Sequence, residues 1–416
     1  MTYSALDLPK KGDTVVVGLS GGVDSTLTAL LLKEKGCHVI GVTMSLWDGK
    51  LPELAEGKTL HDSCYGPGEI EDIEQCKKFC NEHDIEYHVI DVKETYRTEV
   101  LEYFKTEYRS GRTPNPCIRC NRKIKFGALL SGIEKLDIKY DFFCTGHYAK
   151  IVRPDSNLYD IDEFQDNSSS ENDKNNVDKN PRPCMIHTAL DMSKDQTYFI
   201  SRVPSSVLEK VRFPLSEITK AEVFARAREY GLAAADREES QDFVPPEYFD
   251  LLFSDKKSIP GDIIDLDGKV LGKHRGIEHY TVGQRRGLGV SSSTPLYVHS
   301  IDAKNNVIVL AKNEDLTATG LIADDFVWPG NIEPPENFSD ENPDIFVKIR
   351  LASKPVRARL EKIKKYDNNE NYDNFIGQAW RVIFSEPQRA IAPGQSLVIY
   401  DKNVIIGSGI IVSAIQ

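Results

Sequence analysis

The sequence predicts a doubly wound α/β domain, built on a parallel sheet, followed by two small β-rich domains. Three observations carry this. Short β-branched runs alternate with stretches of helical period through the first half of the chain. A glycine-rich turn, "SGGVDS", joins the first run to the first helix. From about residue 245 the pattern becomes short strands punctuated by Gly, Pro and Asn, which is how small barrels and sandwiches read.

Taken in order, "TVVVGL" (14–19) has the composition of a strand buried on both faces. "TLTALLLKEKG" reads as a helix ending on Gly36. "HVIGVTMSLW" (38–47) and "IEYHVIDV" (85–92) are further strands, with the helical "GEIEDIEQCKKFCNEH" between them. "ETYRTEVLEYFKTEYRSG" and "NRKIKFGALLSGIEKL" are helices that precede the strand "YDFFCTG". Ligands of such sheets bind outside the carboxyl ends of the strands, so "SGGVDS" and "CTGHY" are expected on one edge. Residues 154–183, rich in Asn, Asp and Ser, read as a disordered acidic insertion. Helical spacing resumes at "SKDQTYFISRV" and continues to about 235. The expected domains are 1–240, 241–315 and 316–416, the last two being β-rich.

With 416 residues, 40% hydrophobic and 28% charged, the chain builds cores and is not disordered overall. It has no apolar run of the about 18 residues a membrane span needs. Its start lacks a signal-peptide pattern, so a cytoplasmic location is expected. Eight cysteines in a chain this long are then free thiols, metal ligands or redox residues, not a disulfide scaffold. A net charge of −12 argues against nucleic-acid binding by the whole surface and leaves room for a local basic site. That site is "GRTPNPCIRCNRKIKFG" (111–127). No acidic residue interrupts the window holding Arg109, Arg112, Arg119, Arg122, Lys123 and Lys125.

"GLSGGVDS" spans Gly18, Leu19, Ser20, Gly21, Gly22, Val23, Asp24 and Ser25. Its glycines let backbone approach phosphate oxygens, its serines donate, and the helix start that follows adds oriented N–H groups. It lacks the Gly-Lys-Ser/Thr ending of the kinase and GTPase P-loop. A carboxylate at Asp24 makes sense beside phosphates if it holds magnesium. An ordinary strand–helix turn is the plain alternative.

The Cys117-x-x-Cys120 pair follows Pro114 and Pro116, which impose extended backbone, and precedes a helix. Flanked by Arg119, Arg122 and Lys123, such a thiol is expected to have a lowered pKa, making a nucleophile or a soft-metal ligand. The same cations suit RNA phosphates. Two structural cysteines are the plain alternative. No second CxxC exists, so a four-cysteine zinc site is not expected. Met44 is either core or an adenine contact, and Gly146 gains meaning if nucleotide packs on it. His147 reads as a satisfied core histidine. Lys194, Asp195 and Gln196 are either RNA contacts or a solvated helix start. "HRGIEHYTVGQRRGLG" interleaves basic and aromatic residues, which suits an RNA backbone or a charged β surface.

"GLSGGVDS", "GRTPNPCIRCNRKIKFG", "TGHYA", "SKDQTYF", "HYTVGQRRGLG" and "EPQRAIAPGQSLVIYD", in this order, make the chain resemble the tRNA-specific 2-thiouridylase (MnmA/TrmU) family along nearly its whole length. The resemblance implies a PP-loop ATP-pyrophosphatase domain of the adenine nucleotide alpha hydrolase-like kind, a small central domain and a C-terminal β-barrel. It implies ATP and Mg2+, a tRNA partner, a sulfur donor (a persulfide carrier or sulfide) and sulfur insertion at C2 of the wobble uridine. It puts the ATP loop on Gly18–Ser25 with Met44 and Gly146, the target-base segment on Asn115, Pro116 and Cys117, and the nucleophile on Cys120. It puts tRNA contacts on Lys194, Asp195, Gln196 and Arg350, with Leu351 where the family has tyrosine.

Two departures matter. Cys117 stands where the family has Asp, which creates the CxxC. The second family cysteine, which receives the persulfide, is absent from "EESQDFVPPEYF" (238–249). Two sulfur routes stay open. Cys120 carries a persulfide that Cys117 resolves, or Cys117 and Cys120 hold a four-iron four-sulfur cluster with a third thiol, Cys64 or, failing that, Cys144. Competing functions are an RNA-amidating PP-loop enzyme, a thiolase acting on another uridine, and RNA binding without catalysis.

Overall fold

The computed structural model describes residues 1–49, 64–160, 182–236, 243–244, 246–336, 338–342, 344–363 and 375–416. Most of the acidic insertion and half of the 238–249 segment therefore lie outside the described residues. The first eight strands are β1 (Tyr3–Ala5), β2 (Thr14–Gly18), β3 (His38–Ser45), β4 (Glu86–Asp91), β5 (Phe142–Cys144), β6 (Ala149–Pro154), β7 (Met185–Thr188) and β8 (Val211–Arg212). Five of them form a parallel sheet in the order β4-β3-β2-β5-β8. Val15, Val16 and Val17 are all fully buried, the mark of a strand covered on both faces. Strand order reverses at β2, with β3 on one side and β5 on the other. The loops after β2 and β5 therefore flank a crevice at the carboxyl edge.

The helices that cover this sheet are α1 (Val23–Glu34) and α2 (Glu69–Glu82), then α3 running from Lys93 to Arg109 and α4 from Pro116 to Lys135, and last α5 (Lys220–Glu229). Both α3 and α4 contain a widened π turn, at Arg97–Glu102 and Asn121–Ala128. Such turns favour functional sites, and the second begins directly after Cys120.

The expected helical run to 235 is corrected at Val211–Arg212, which forms the outer strand β8. Two residues are too few to show a period, so only pairing with β5 reveals them.

A four-stranded sheet follows, in the order β10-β9-β12-β11, from β9 (Gly261–Ile264), β10 (Val270–His274), β11 (Tyr297–Asp302) and β12 (Val307–Ala311). The last strands are β13 (Thr317–Val327), β14 (Ile345–Lys348), β15 (Val356–Lys362), β16 (Trp380–Arg389), β17 (Ser396–Asp401) and β18 (Val404–Ile415). They run β18-β13-β16-β15-β14-β17, and β17 pairs back onto β18 to close a barrel.

The antiparallel ladder β1-β6-β7 belongs to this sheet and not to the parallel one, joining β18 at His187 and Val404. One apolar core contains Ile118 and Tyr198 together with Val398, Tyr400 and Ile405 of the barrel. Among the described residues no helix is long and apolar enough to cross a membrane.

Candidate active site

The glycine turn emerges from β2 and is held by its own serines. Ser20 N donates to Ser25 Oγ at 3.2 Å, and Ser25 Oγ donates to the Gly22 carbonyl at 3.0 Å. Leu19 is tied to β3, with its N–H on Val42 O and its carbonyl accepting from Thr43 Oγ1. Gly21 has φ +78, a conformation that L side chains rarely adopt. Its open side faces the Asp72 carboxyl. Gly146, in the loop after β5, packs so closely on the start of α1 that a Cβ there would lie 2.7 Å from the Asp24 backbone carbon. Met44 is half-buried in β3 against the core that Cys120 also joins.

Asp24 was expected to hold magnesium. In the structure its carboxylate accepts from Lys220 Nζ at 2.8 Å on both oxygens and from Tyr148 OH at 2.8 Å. Lys220 is buried and also lies over the rings of Tyr148 and Phe224. Sequence reading missed it, although a signal exists. Lys220 is the first residue of α5, after the Thr219–Glu222 capping box, and a cation there opposes the helix dipole. An unfavourable position of that kind points to a partner elsewhere.

Asn115 Oδ1 accepts from Ile118 N at 3.1 Å and Pro116 follows at the first helical position, so α4 starts where the CxxC starts. The segment before it is clamped by the barrel. Thr113 N donates to Pro393 O at 2.7 Å, and Gln395 Nε2 donates to Thr113 O at 3.1 Å.

The lowered thiol pKa expected at this helix start is overturned for Cys120. Burial pushes its thiol up to about 12, Lys125 opposing and Cys64 and Cys117 adding to the rise. Two of the flanking cations are engaged elsewhere, because Arg119 and Lys123 both pair with Glu99. Desolvation therefore outweighs charge.

Cys64 keeps an exposed face, yet desolvation again leads in raising its thiol, with Lys125 opposing and Asp72 reinforcing. Cys64, Cys117 and Cys120 all lie within electrostatic reach of the buried Tyr96 hydroxyl. Cys144 is elsewhere, buried among Cys37, Lys35 and Arg212, which removes it as the alternative third thiol. Among the described residues no three His, Cys, Asp or Glu side chains form a group able to hold a metal ion.

Two connections bring the glycine turn and the cysteines together. Asp72 abuts Gly21 and acts on Cys64. Lys125, whose charge acts on Cys64 and Cys120, donates to His147 Nε2 at 3.4 Å, next to Gly146 on Asp24. Thr145 Oγ1 bonds His147 Nδ1 at 2.7 Å, and burial followed by Lys125 holds the imidazole well below its usual pKa, so it is neutral. Sequence reading counted Lys125 in the basic window without giving it a role beside the thiols, and it missed Asp72. Nothing in their spacing marks them.

The expected RNA contacts are partly committed within the chain. Asp195 bonds Thr197 Oγ1 at 2.8 Å, and Gln196 Oε1 accepts from Tyr148 N at 2.9 Å. Arg350 donates to the carbonyls of Arg389 and Ala390, and Leu351 beside it is exposed. Lys194 ends a short 3-10 turn whose start is capped by Asp191.

The tRNA methyl transferase HUP domain family matches residues 13–245, the tRNA methyl transferase PRC-barrel domain 251–312 and the aminomethyltransferase beta-barrel domain 318–411. A tRNA-specific 2-thiouridylase MnmA of Endomicrobium trichonymphae is 38% identical over 96% of this chain and 98% of its own. One of Carboxydothermus hydrogenoformans is 36% identical over 95% and 97%. Among solved structures, a 4-thiouridine synthetase–RNA complex with bound ATP overlaps 58% of this chain and 50% of its own at 16% identity, with a TM-score of 0.32. On the full-length relatives, the chain belongs to the tRNA-specific 2-thiouridylase MnmA family.

Proposed function

We propose that this chain is an ATP-dependent tRNA sulfurtransferase that converts a uridine, at the wobble position, to 2-thiouridine. The observation that carries this is the shared crevice. The glycine turn shares Asp72 with Cys64, and Lys125, bonded to His147 beside Gly146, lies within electrostatic reach of Cys64 and Cys120.

A uracil C2 carbonyl is a poor electrophile and its oxygen a poor leaving group. Attack of O2 on the α-phosphorus of ATP answers both, forming an O–P bond and expelling pyrophosphate. The N–H groups of Gly21–Val23 and the hydroxyls of Ser20 and Ser25 receive the phosphates, and Met44 lines the adenine side. Magnesium would neutralise the phosphate oxygens there, and Asp24 is the carboxylate that would hold it. Sulfur then bonds to C2 and AMP departs, carrying the former O2.

Asn115, Pro116 and Cys117 receive the target base, which is accessible in a single-stranded anticodon loop. The Lys194–Gln196 loop contributes Lys194 to the RNA, while Asp195 and Gln196 hold the loop's shape. Arg350 supports the barrel loop 389–390 beneath the RNA.

Cys64 lies within electrostatic reach of Cys120, but among the described residues the three thiols form no metal-holding group. A four-iron four-sulfur cluster would take Cys117, Cys120 and Cys64 as its soft ligands only once Cys64 closed onto the pair. In the relay, the outer sulfur of a Cys120 persulfide bonds to C2, Cys117 then attacks Cys120 Sγ and breaks the S–S bond, and the 2-thio base is released, leaving a Cys117–Cys120 disulfide for an external thiol to reduce.

Incubation of the anaerobically purified chain with ATP and tRNA, in separate arms with sulfide and with a persulfide donor, followed by nucleoside mass spectrometry, tests the reading. Equal amounts of 2-thiouridine, AMP and pyrophosphate are expected. RNA that yields neither pyrophosphate nor thiolated base overturns it. Thiolation by protein free of iron rejects the cluster alone.

A further inference from the structure

A cavity of about 200 Å³ lies at the seam between α3, α4 and the barrel. Asn115, Ile118, Arg119 and Arg122 line it at helical spacing, whereas Cys117 and Cys120 do not. It is a second chamber on another face of the helix that carries the CxxC.

Four guanidinium groups line it, and three are paired. Arg112 bonds Glu107 at 2.8 Å, Arg119 bonds Glu99 at 2.6 Å, and Arg202 bonds Asp325 at 2.8 Å. Among the described residues Arg122 makes neither an ion pair nor a hydrogen bond, although it is half-buried. The opposite charges acting on it are Asp325, already held by Arg202, and more weakly Glu99, already held by Arg119, and Arg119 repels it. Arginine does not shed its proton in proteins. A desolvated guanidinium without a partner is therefore stabilised by an incoming anion. Asp324, the remaining acid in the wall, is turned to Ile376 N at 2.8 Å, and burial raises its pKa.

We propose that this cavity receives a backbone phosphate of the RNA next to the target uridine, with Arg122 as the principal ligand. The inference rests on the tRNA-thiolation reading and specifies how that RNA is gripped. Guanidinium forks match phosphate oxygens in pairs. The volume, room for roughly six waters, accommodates a phosphate. Asn115 both lines the cavity and opens the target-base segment, so a nucleotide held at Cys117 has its own phosphate beside this chamber. Asp325 and Ser396 put the barrel in the same wall, so an occupied cavity draws α4 and the barrel together.

The test uses the full chain and an anticodon stem–loop RNA whose phosphate 5′ or 3′ of the target uridine is replaced by a neutral methylphosphonate. Binding is read by fluorescence anisotropy for wild type, Arg122→Gln and Arg122→Lys. One neutral linkage is expected to weaken wild type about tenfold and Arg122→Gln less than about twofold, with the salt slope of Arg122→Gln smaller by about one. Arg122→Lys keeps the slope. Thermal melting of Arg122→Gln is expected to be unchanged or raised, since an unpaired cation is removed.

Equal sensitivity of wild type and Arg122→Gln to both linkages overturns this proposal while leaving thiolation standing. Wild-type protein that binds no RNA overturns both. Inorganic phosphate that raises the melting temperature of wild type but not of Arg122→Gln, with no effect of either linkage, makes the cavity a free-anion site and overturns the RNA source.

Discussion

Lys220 Nζ stands 2.8 Å from each carboxylate oxygen of Asp24, joining residues 196 apart in the chain. The pair closes the floor of the glycine turn, with Tyr148 OH as its third member. Lys220→Ala leaves Asp24 without its cation. The stability loss is expected below the about 3–5 kcal/mol of a fully buried pair, because the Asp24 side chain is 26% exposed. RNA-dependent pyrophosphate release is expected to fall about a hundredfold, the effect of removing one charge-stabilising donor. Release at the wild-type rate would show that the lysine serves folding only.

Cys120 is partly buried against the core, and desolvation leads in setting its thiol, raised from 9.0 to about 12. The folded state then binds this proton more tightly than the unfolded state does. Its contribution to stability is complete below pH 9 and is lost as pH rises from 9 toward 12. Iodoacetamide labelling, followed by peptide mass spectrometry, is expected to modify Cys120 more slowly at pH 8 than the same thiol in denatured chain. Faster labelling would restore the thiolate that the flanking arginines suggest.

Cys120→Ser is expected to abolish 2-thiouridine while the chain still binds ATP, since Cys120 takes no part in the glycine turn. Cys64→Ala separates the two sulfur routes. Under the cluster route it removes most iron and sulfide from anaerobic protein and most thiolation. Full thiolation by Cys64→Ala, at wild-type rate, is the outcome that favours Cys117 and Cys120 acting alone.

Gly146→Ala places a methyl 2.7 to 2.9 Å from the Asp24 backbone carbon, Cβ and carbonyl oxygen. These belong to the helix start and cannot swing aside as a flexible side chain would. A destabilisation of about 1–3 kcal/mol is expected, with weaker ATP binding by calorimetry. Unchanged melting and affinity would mean that the two loops do not pack as described.

Asn115→Ala removes the side-chain acceptor that begins α4. The loss is expected near 1 kcal/mol by urea denaturation, and Asn115→Asp restores most of it. Thiolation should fall in the alanine variant more than the melting temperature predicts, because the same cap orients Cys117 and Cys120.

Local chemistry determined the parallel-sheet unit, the β-rich remainder, the glycine turn and the start of α4. Each is written in a short-range pattern: three successive valines, two glycines before a helix, Asn-Pro before the CxxC. The persulfide-receiving cysteine missing from 238–249 and the leucine at 351 were equally legible. Tertiary structure decided what those patterns could not carry. It set Lys220 on Asp24 and Cys64 rather than Cys144 near the CxxC, and it gave β1, β6 and β7 to the barrel's sheet. It also reversed the expected acidity of Cys120. The reason is common to all four. Burial and charge pairing are sums over neighbours brought in from distant segments, and a one-dimensional window contains only the residues adjacent in the chain.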